Sequence, residues 1–233
     1  MRPSAGSAPS PGSARAAHAV LAVVVAASLV LQVVLVLAGG EDASSGDATD
    51  QVPLGTRLVR LFSYFTIQSN VLLLVASASL AVRPGRDGRW WRVLRLDALL
   101  GILVTGIVFA TVLAPIVEVE GAAAWANTGL HYVAPWAALL VWLVVGPRPR
   151  IDARTIALAF GWPVAWIAWT FLHGAITDWY PYPFLDAAAE GYAAALLGTG
   201  AVVVLAAVLV AALAALDQRL PRRVPDDAPP SLR

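Results

Sequence analysis

Five hydrogen-bonding side chains, Ser63, Thr66, Gln68, Ser69 and Asn70, crowd the opening of "LFSYFTIQSNVLLLVASASLAV", a segment that is otherwise apolar. A threonine or serine hydroxyl is a weak nucleophile until an adjacent base takes its proton. The chain has three histidines, and two of them lie near further polar groups. His131 follows Asn127 by one helical turn in "NTGLHYVAPW". His173 is followed by Asp178 and Asp186 in "WPVAWIAWTFLHGAITDWYPYPFLD". Both histidines could serve as bases. The same residues also have plain structural readings. Ser, Thr and Asn bond across helix contacts in membranes for roughly 0.6 kcal/mol on average, and a histidine near an interface can simply bond a carbonyl or water. There is no cysteine, so neither a disulfide framework nor a thiolate site exists. No metal or cofactor is expected.

The elements that carry these residues are membrane helices. Of 233 residues, 59% are hydrophobic and 13% charged, against about 25% charged in soluble domains. A span needs roughly 20 mainly apolar residues, and six segments qualify: Ala17–Ala38, Leu58–Val82, Val93–Val117, Thr128–Val145, Thr155–Gly174 and Tyr192–Leu216. Backbone inside lipid must satisfy its own hydrogen bonds, so these are helices. The expected fold is all-α, a six-helix bundle over residues 17–216 between disordered tails, 1–16 and 217–233, that are rich in Pro, Ser and Arg. "VLAGG" after the first segment resembles a signal-peptide end, but the apolar run exceeds the roughly 7–15 residues of such a peptide. The first helix is therefore expected to stay.

Charge orients the bundle. All sixteen basic residues are arginine, as in a GC-rich bacterial genome, and fourteen of them precede the first span, follow the last, or fill or edge the second and fourth loops. Only Arg57 and Arg60 fall on the other side, where the acidic residues of the remaining loops gather. The positive-inside rule then puts both termini in the cytoplasm.

At 100° per residue, Ser63, Thr66, Asn70 and Ser77 share a stripe within roughly 60°, Gln68 points away, and Ser69 lies to the side, where it can bond the carbonyl one turn back. Trp162, Trp166, Trp169 and His173 fall within roughly 60° on the fifth span. Pro135 is expected to bend the fourth helix beside His131. Thr66, Asn70, Asn127, His131, His173, Asp178 and Asp186 all fall in the outer half or just outside, as one pocket would require.

"YFTIQSNVLL", "NTGLHYVAPW" and "WPVAWIAWTFLHGAITDWYPYPFLD", in that order on six spans, resemble the androgen-induced-gene family of small multispan proteins, in its bacterial branch. This family includes androgen-dependent regulators of tissue factor pathway inhibitor. The likeness covers about residues 57–190. It implies a protein of the bacterial inner membrane. It also implies an intramembrane threonine hydrolase for fatty acid esters of hydroxy fatty acids, with Thr66 as nucleophile and His131 as base. The segments between the motifs differ freely, so the dyad carries over better than the substrate does. Such chemistry needs an orienting group for the base, with His173, Asp178 and Asp186 as candidates. It needs oxyanion donors, with Asn70 and Asn127 as candidates. An acyl chain would lie against Trp162, Trp166 and Trp169.

Other readings compete with a hydrolase. The pocket could hold a solute in a carrier, although few ionisable residues continue through the inner half. His131 and His173 at similar depth could hold one b-type haem. A structural or assembly role needs no chemistry at all. The expected partners are membrane lipid and a lipid ester, not nucleic acid; the oligomeric state is not legible. Reporter fusions after Arg223 and within residues 41–50 are expected to report opposite compartments. Equal signals would mean that a span was miscounted.

Overall fold

A computed structural model describes residues 10–148 and 150–221 of the chain. Helix α1 runs Pro11–Ala38, starting on the Ser10 side-chain cap rather than at Ala17. After a loop come α2, Leu54–Ser63, and α3, Phe65–Val82. Helix α4 covers Arg89–Val108 and widens into a π turn at Phe109–Leu113. Helix α5, Gly121–Thr128, passes through a second π turn, Gly129–Val133, into α6, Ala134–Val144. Helix α7, Ala153–Ala159, turns at Phe160 into α8, Gly161–Thr177. A 3₁₀ turn at Pro183–Leu185 and the short α9, Ala187–Glu190, lead to α10, Tyr192–Arg219. The expected tails lie outside the described residues at 1–9 and 222–233, whereas 11–16 and 217–219 continue helices.

Among the described residues no strand forms, and five helical stretches are long and apolar enough to cross a membrane: Gly12–Ala38, Phe65–Val82, Arg89–Leu113, Ala153–Thr177 and Tyr192–Arg219. The expected fourth span is also helical, from Gly121 to Val144, but Asn127, Thr128, His131 and Pro135 dilute its apolar content, and it is not among the five. The surface agrees with a lipid solvent. Leu197 is 77% exposed, Ile176 73% and Val23 68%. Large side chains left bare in such number need apolar surroundings. The interior, by contrast, holds Gln32, Ser69, Asn70 and His131.

Helix α4 is the hub: every residue from Leu96 to Gly106 is buried. It packs against α3, α6, α7 and α10, while α3 also packs along α1. Small residues allow the close approaches. A Cβ added at Gly106 would stand 2.7 Å from Pro135 Cβ and Cγ and 3.3 Å from the His131 carbonyl oxygen. Pro135 has no N–H to return to that carbonyl, and the chain answers with the wide π turn over Gly129–Val133 rather than with a simple bend.

The expected second span is two helices. Tyr64 sits between α2 and α3 in an extended conformation, φ −66° and ψ 129°. Nothing local breaks the helix there, since no Gly or Pro is near. The break is held from outside by ring contacts of Tyr64 with Trp179 and Tyr182, centroids 5.7 and 5.6 Å apart. It puts Thr66 in the first turn of α3. Gly106→Val is expected to destabilise the fold by about 1–3 kcal/mol through overpacking, read as a lower unfolding midpoint in detergent. Gly200→Ala, where an added Cβ meets nothing within 4 Å, is expected to leave the midpoint level or slightly raised.

Candidate functional site

Thr66, His131 and Tyr182 come together from three separate parts of the chain, and all three are buried. Thr66 Oγ1 lies 3.3 Å from His131 Nε2 and 3.3 Å from the Tyr182 hydroxyl. The break at Tyr64 explains the third contact. First-turn amides of a helix have no partner within it, and the Thr66 amide donates instead to the Tyr182 hydroxyl at 3.2 Å.

The π turn sets the histidine. His131 Nδ1 is 3.2 Å from the Asn127 carbonyl, a bond that Nδ1 makes as donor. That fixes the tautomer with Nε2 as acceptor toward Thr66. Phe109, from the π turn of α4, stacks on the ring with centroids 3.9 Å apart. With both ring nitrogens engaged, His131 offers no free ligand to a haem iron. No group of three metal-ligating side chains exists among the described residues.

The expected supporting groups are placed otherwise. Asn70 donates to the Thr66 and Leu130 carbonyls at 2.9 and 3.3 Å. Asn127 donates to the Ala43 carbonyl at 2.5 Å. Both asparagine amides are thus taken by backbone and brace helices rather than face Thr66 Oγ1. His173 stacks on Trp169, Asp178 ends α8, and Asp186 caps α9 through the Ala188 and Ala189 amides. None of these three bonds His131, whose orienting partner is the Asn127 carbonyl. Gln68 accepts from Trp162 Nε1 at 2.8 Å, Ser63 bonds the Val59 carbonyl, and Ser69 Oγ makes no bond to the turn before it.

Thr66 and Tyr182 open onto a cleft enclosing about 940 Å³ of empty space, its mouth included. Its walls are apolar: Phe65, Trp162 and Trp166 on one side, Val202, Val203 and Ala206 of α10 on another. Trp169 is not in the wall; its indole donates to Ser63 Oγ at 3.1 Å. Two of the three expected tryptophans therefore line the cleft.

Tyr182 was not singled out by sequence, where "DWYPYPF" reads as an interfacial loop. The signal was its place between Pro181 and Pro183, which fixes the backbone on both sides. Burial pushes its phenol up to about 12, so the hydroxyl keeps its proton at neutral pH and can donate.

No family model matches the chain, and neither a curated protein nor a solved structure is significantly similar to it.

The loop after α1 secures this site through Asn127. Gln32 donates to Asp42 Oδ2 at 3.1 Å and accepts from the Ala43 amide at 3.1 Å, which positions the Ala43 carbonyl. Burial raises the Asp42 carboxyl from 3.8 to about 6. The folded chain then holds a proton between those values that the unfolded chain has lost, so stability falls as pH rises through the window. The unfolding midpoint is expected to drop between about pH 4 and pH 6 and then level off, an effect of about 2–3 kcal/mol. Asp42→Asn is expected to remove that part of the slope.

Proposed function

We propose that the chain is a six-span protein of the bacterial inner membrane, both termini cytoplasmic, that hydrolyses lipid esters with Thr66 as nucleophile and His131 as general base. One observation carries this reading: a buried threonine hydroxyl within hydrogen-bond distance of both a histidine nitrogen and a phenol, beside an apolar cleft. Helix packing alone explains a polar stripe, but it does not require an acceptor nitrogen and a donor hydroxyl to meet on one oxygen beside a cleft. The three motifs quoted above lend the resemblance to threonine hydrolases as further support.

The chemistry follows from the contacts. Thr66 Oγ1 gives its proton to His131 Nε2 as it bonds the ester carbonyl carbon, and the carbonyl π pair moves onto its oxygen. Two donors converge at that place, the Tyr182 hydroxyl and the Thr66 amide that it now engages. Turned to the oxyanion, they act where little water competes. When the tetrahedral centre collapses, the bond to the alcohol oxygen breaks and the imidazolium returns the proton to it. Water then repeats the steps on the threonyl ester and frees the acid. The Asn127 carbonyl holds the ring through Nδ1 throughout. The aromatic and aliphatic walls receive the acyl chain.

Thr66→Ala is expected to lose ester hydrolysis and fluorophosphonate labelling while keeping a normal size-exclusion profile. Thr66→Ser is expected to keep part of the activity. Tyr182→Phe retains the ring and is expected to lower kcat about 100- to 1,000-fold with little change in KM. Wild-type labelling of Thr66→Ala would return the stripe to helix packing.

A further inference from the structure

One ionisable group faces the cleft and has no role in the chemistry above. Asp97, on α4, lines the same cleft as Thr66 and is 8% exposed. Its Oδ1 has no hydrogen-bond partner, and the one ion pair among the described residues, Arg92 with Asp87, leaves it out. An ionisable side chain in a membrane helix is costly to keep there and marks a ligand or ion path by default.

Its place relative to Thr66 can be read from the helices. Asp97, Gly101 and Thr105 share one face of α4 at intervals of four, and all three line the cleft. An added Cβ at Gly101 would lie 2.9 Å from Ser69 Oγ and 3.0 Å from the Trp162 ring, so Gly101 stands level with Ser69. Helices α3 and α4 are antiparallel across a short loop, which brings Thr105, one turn further along α4, level with Thr66, one turn back along α3. Asp97 then lies two turns from the reacting hydroxyl, about 12 Å at 1.5 Å per residue. Phe160, Pro163, Tyr182 and Phe184 also line the cleft, and Trp162 stacks on Phe65 beside Thr66.

We infer that Asp97 is a substrate-binding residue and that the acyl chain it selects carries a hydroxyl near its far end. This rests on the ester-hydrolase reading of Thr66. A largely apolar cleft with the Thr66 hydroxyl at one level and the Asp97 carboxyl two turns deeper fits a chain with an ester at the first and a hydrogen-bonding group at the second. A hydroxyl is the suitable group. It costs far less to bring out of water than an ammonium ion, and it donates to the carboxyl whatever the protonation of Asp97. An extended alkyl chain, with bonds of about 1.5 Å, advances roughly 1.25 Å per carbon, so the hydroxyl belongs about nine or ten carbons from the carbonyl.

The test compares 4-nitrophenyl decanoate with 4-nitrophenyl 10-hydroxydecanoate, using the full chain in nanodiscs. The wild type is expected to favour the hydroxylated ester in kcat/KM by about tenfold. Asp97→Asn, which keeps an acceptor, is expected to retain that preference, and Asp97→Leu to invert it toward decanoate. Equal kcat/KM for the two esters in the wild type would overturn the inference, and so would a preference that survives Asp97→Leu. Binding of 1,10-decanediol against 1-decanol, followed by tryptophan fluorescence in Thr66→Ala, separates the two readings. Tighter diol binding there, lost in the Thr66→Ala/Asp97→Leu double variant, supports the Asp97 site even if the wild type hydrolyses neither ester. Hydrolysis that requires Thr66, without any diol preference, keeps the hydrolase and removes the Asp97 site.

Discussion

A backbone in lipid must satisfy its hydrogen bonds from within, and the candidate site occupies the places where this chain departs from that demand. The helix breaks at Tyr64, and the Thr66 amide that loses its partner is taken up by Tyr182. The helix widens over Gly129–Val133, where Pro135 cannot serve the carbonyl of His131. It widens again at Phe109–Leu113, and Phe109 from that turn covers the imidazole. Tyr64, Phe109 and His131 are buried at these departures, while Ala110, Thr111, Val112, Tyr132 and Val133 of the two wide turns are exposed.

The polar groups inside the bundle divide into two kinds. Asn70, Asn127, Gln32 and Trp166 donate to backbone carbonyls or loop side chains and hold one element to another. Thr66 and Tyr182 instead bond each other at the edge of a cleft and keep a face toward it. Few dipoles compete there, so a hydrogen bond made as charge develops is worth more than the same bond in water. The braces hold the elements that carry Thr66, His131 and Tyr182 in place.

Much of this architecture was legible because lipid imposes a simple code. Long apolar runs marked the helices, and the spacing of Thr66 with Asn70 and of Asn127 with His131 marked two polar faces. What was not legible depends on contacts distant in sequence. The break at Tyr64 has no Gly or Pro to announce it and comes from rings on a loop more than a hundred residues away. The asparagines look alike in sequence whether they face a substrate or a carbonyl. Trp169 shares its angular window with Trp162 and Trp166, yet its indole turns to Ser63 and leaves the cleft. Pro135 pointed to a disturbance beside His131 without saying that it would be a widened turn.

Thr66 is 65 residues from His131 and 116 from Tyr182 in sequence. Contacts of such separation form late, because the intervening chain must be ordered first. A ribosome feeding this chain into a membrane releases the threonine first, the histidine well afterwards and the phenol near the end. During most of its synthesis the nascent protein therefore lacks the Thr66–His131–Tyr182 cluster, which can close only after the loop before α10 has emerged.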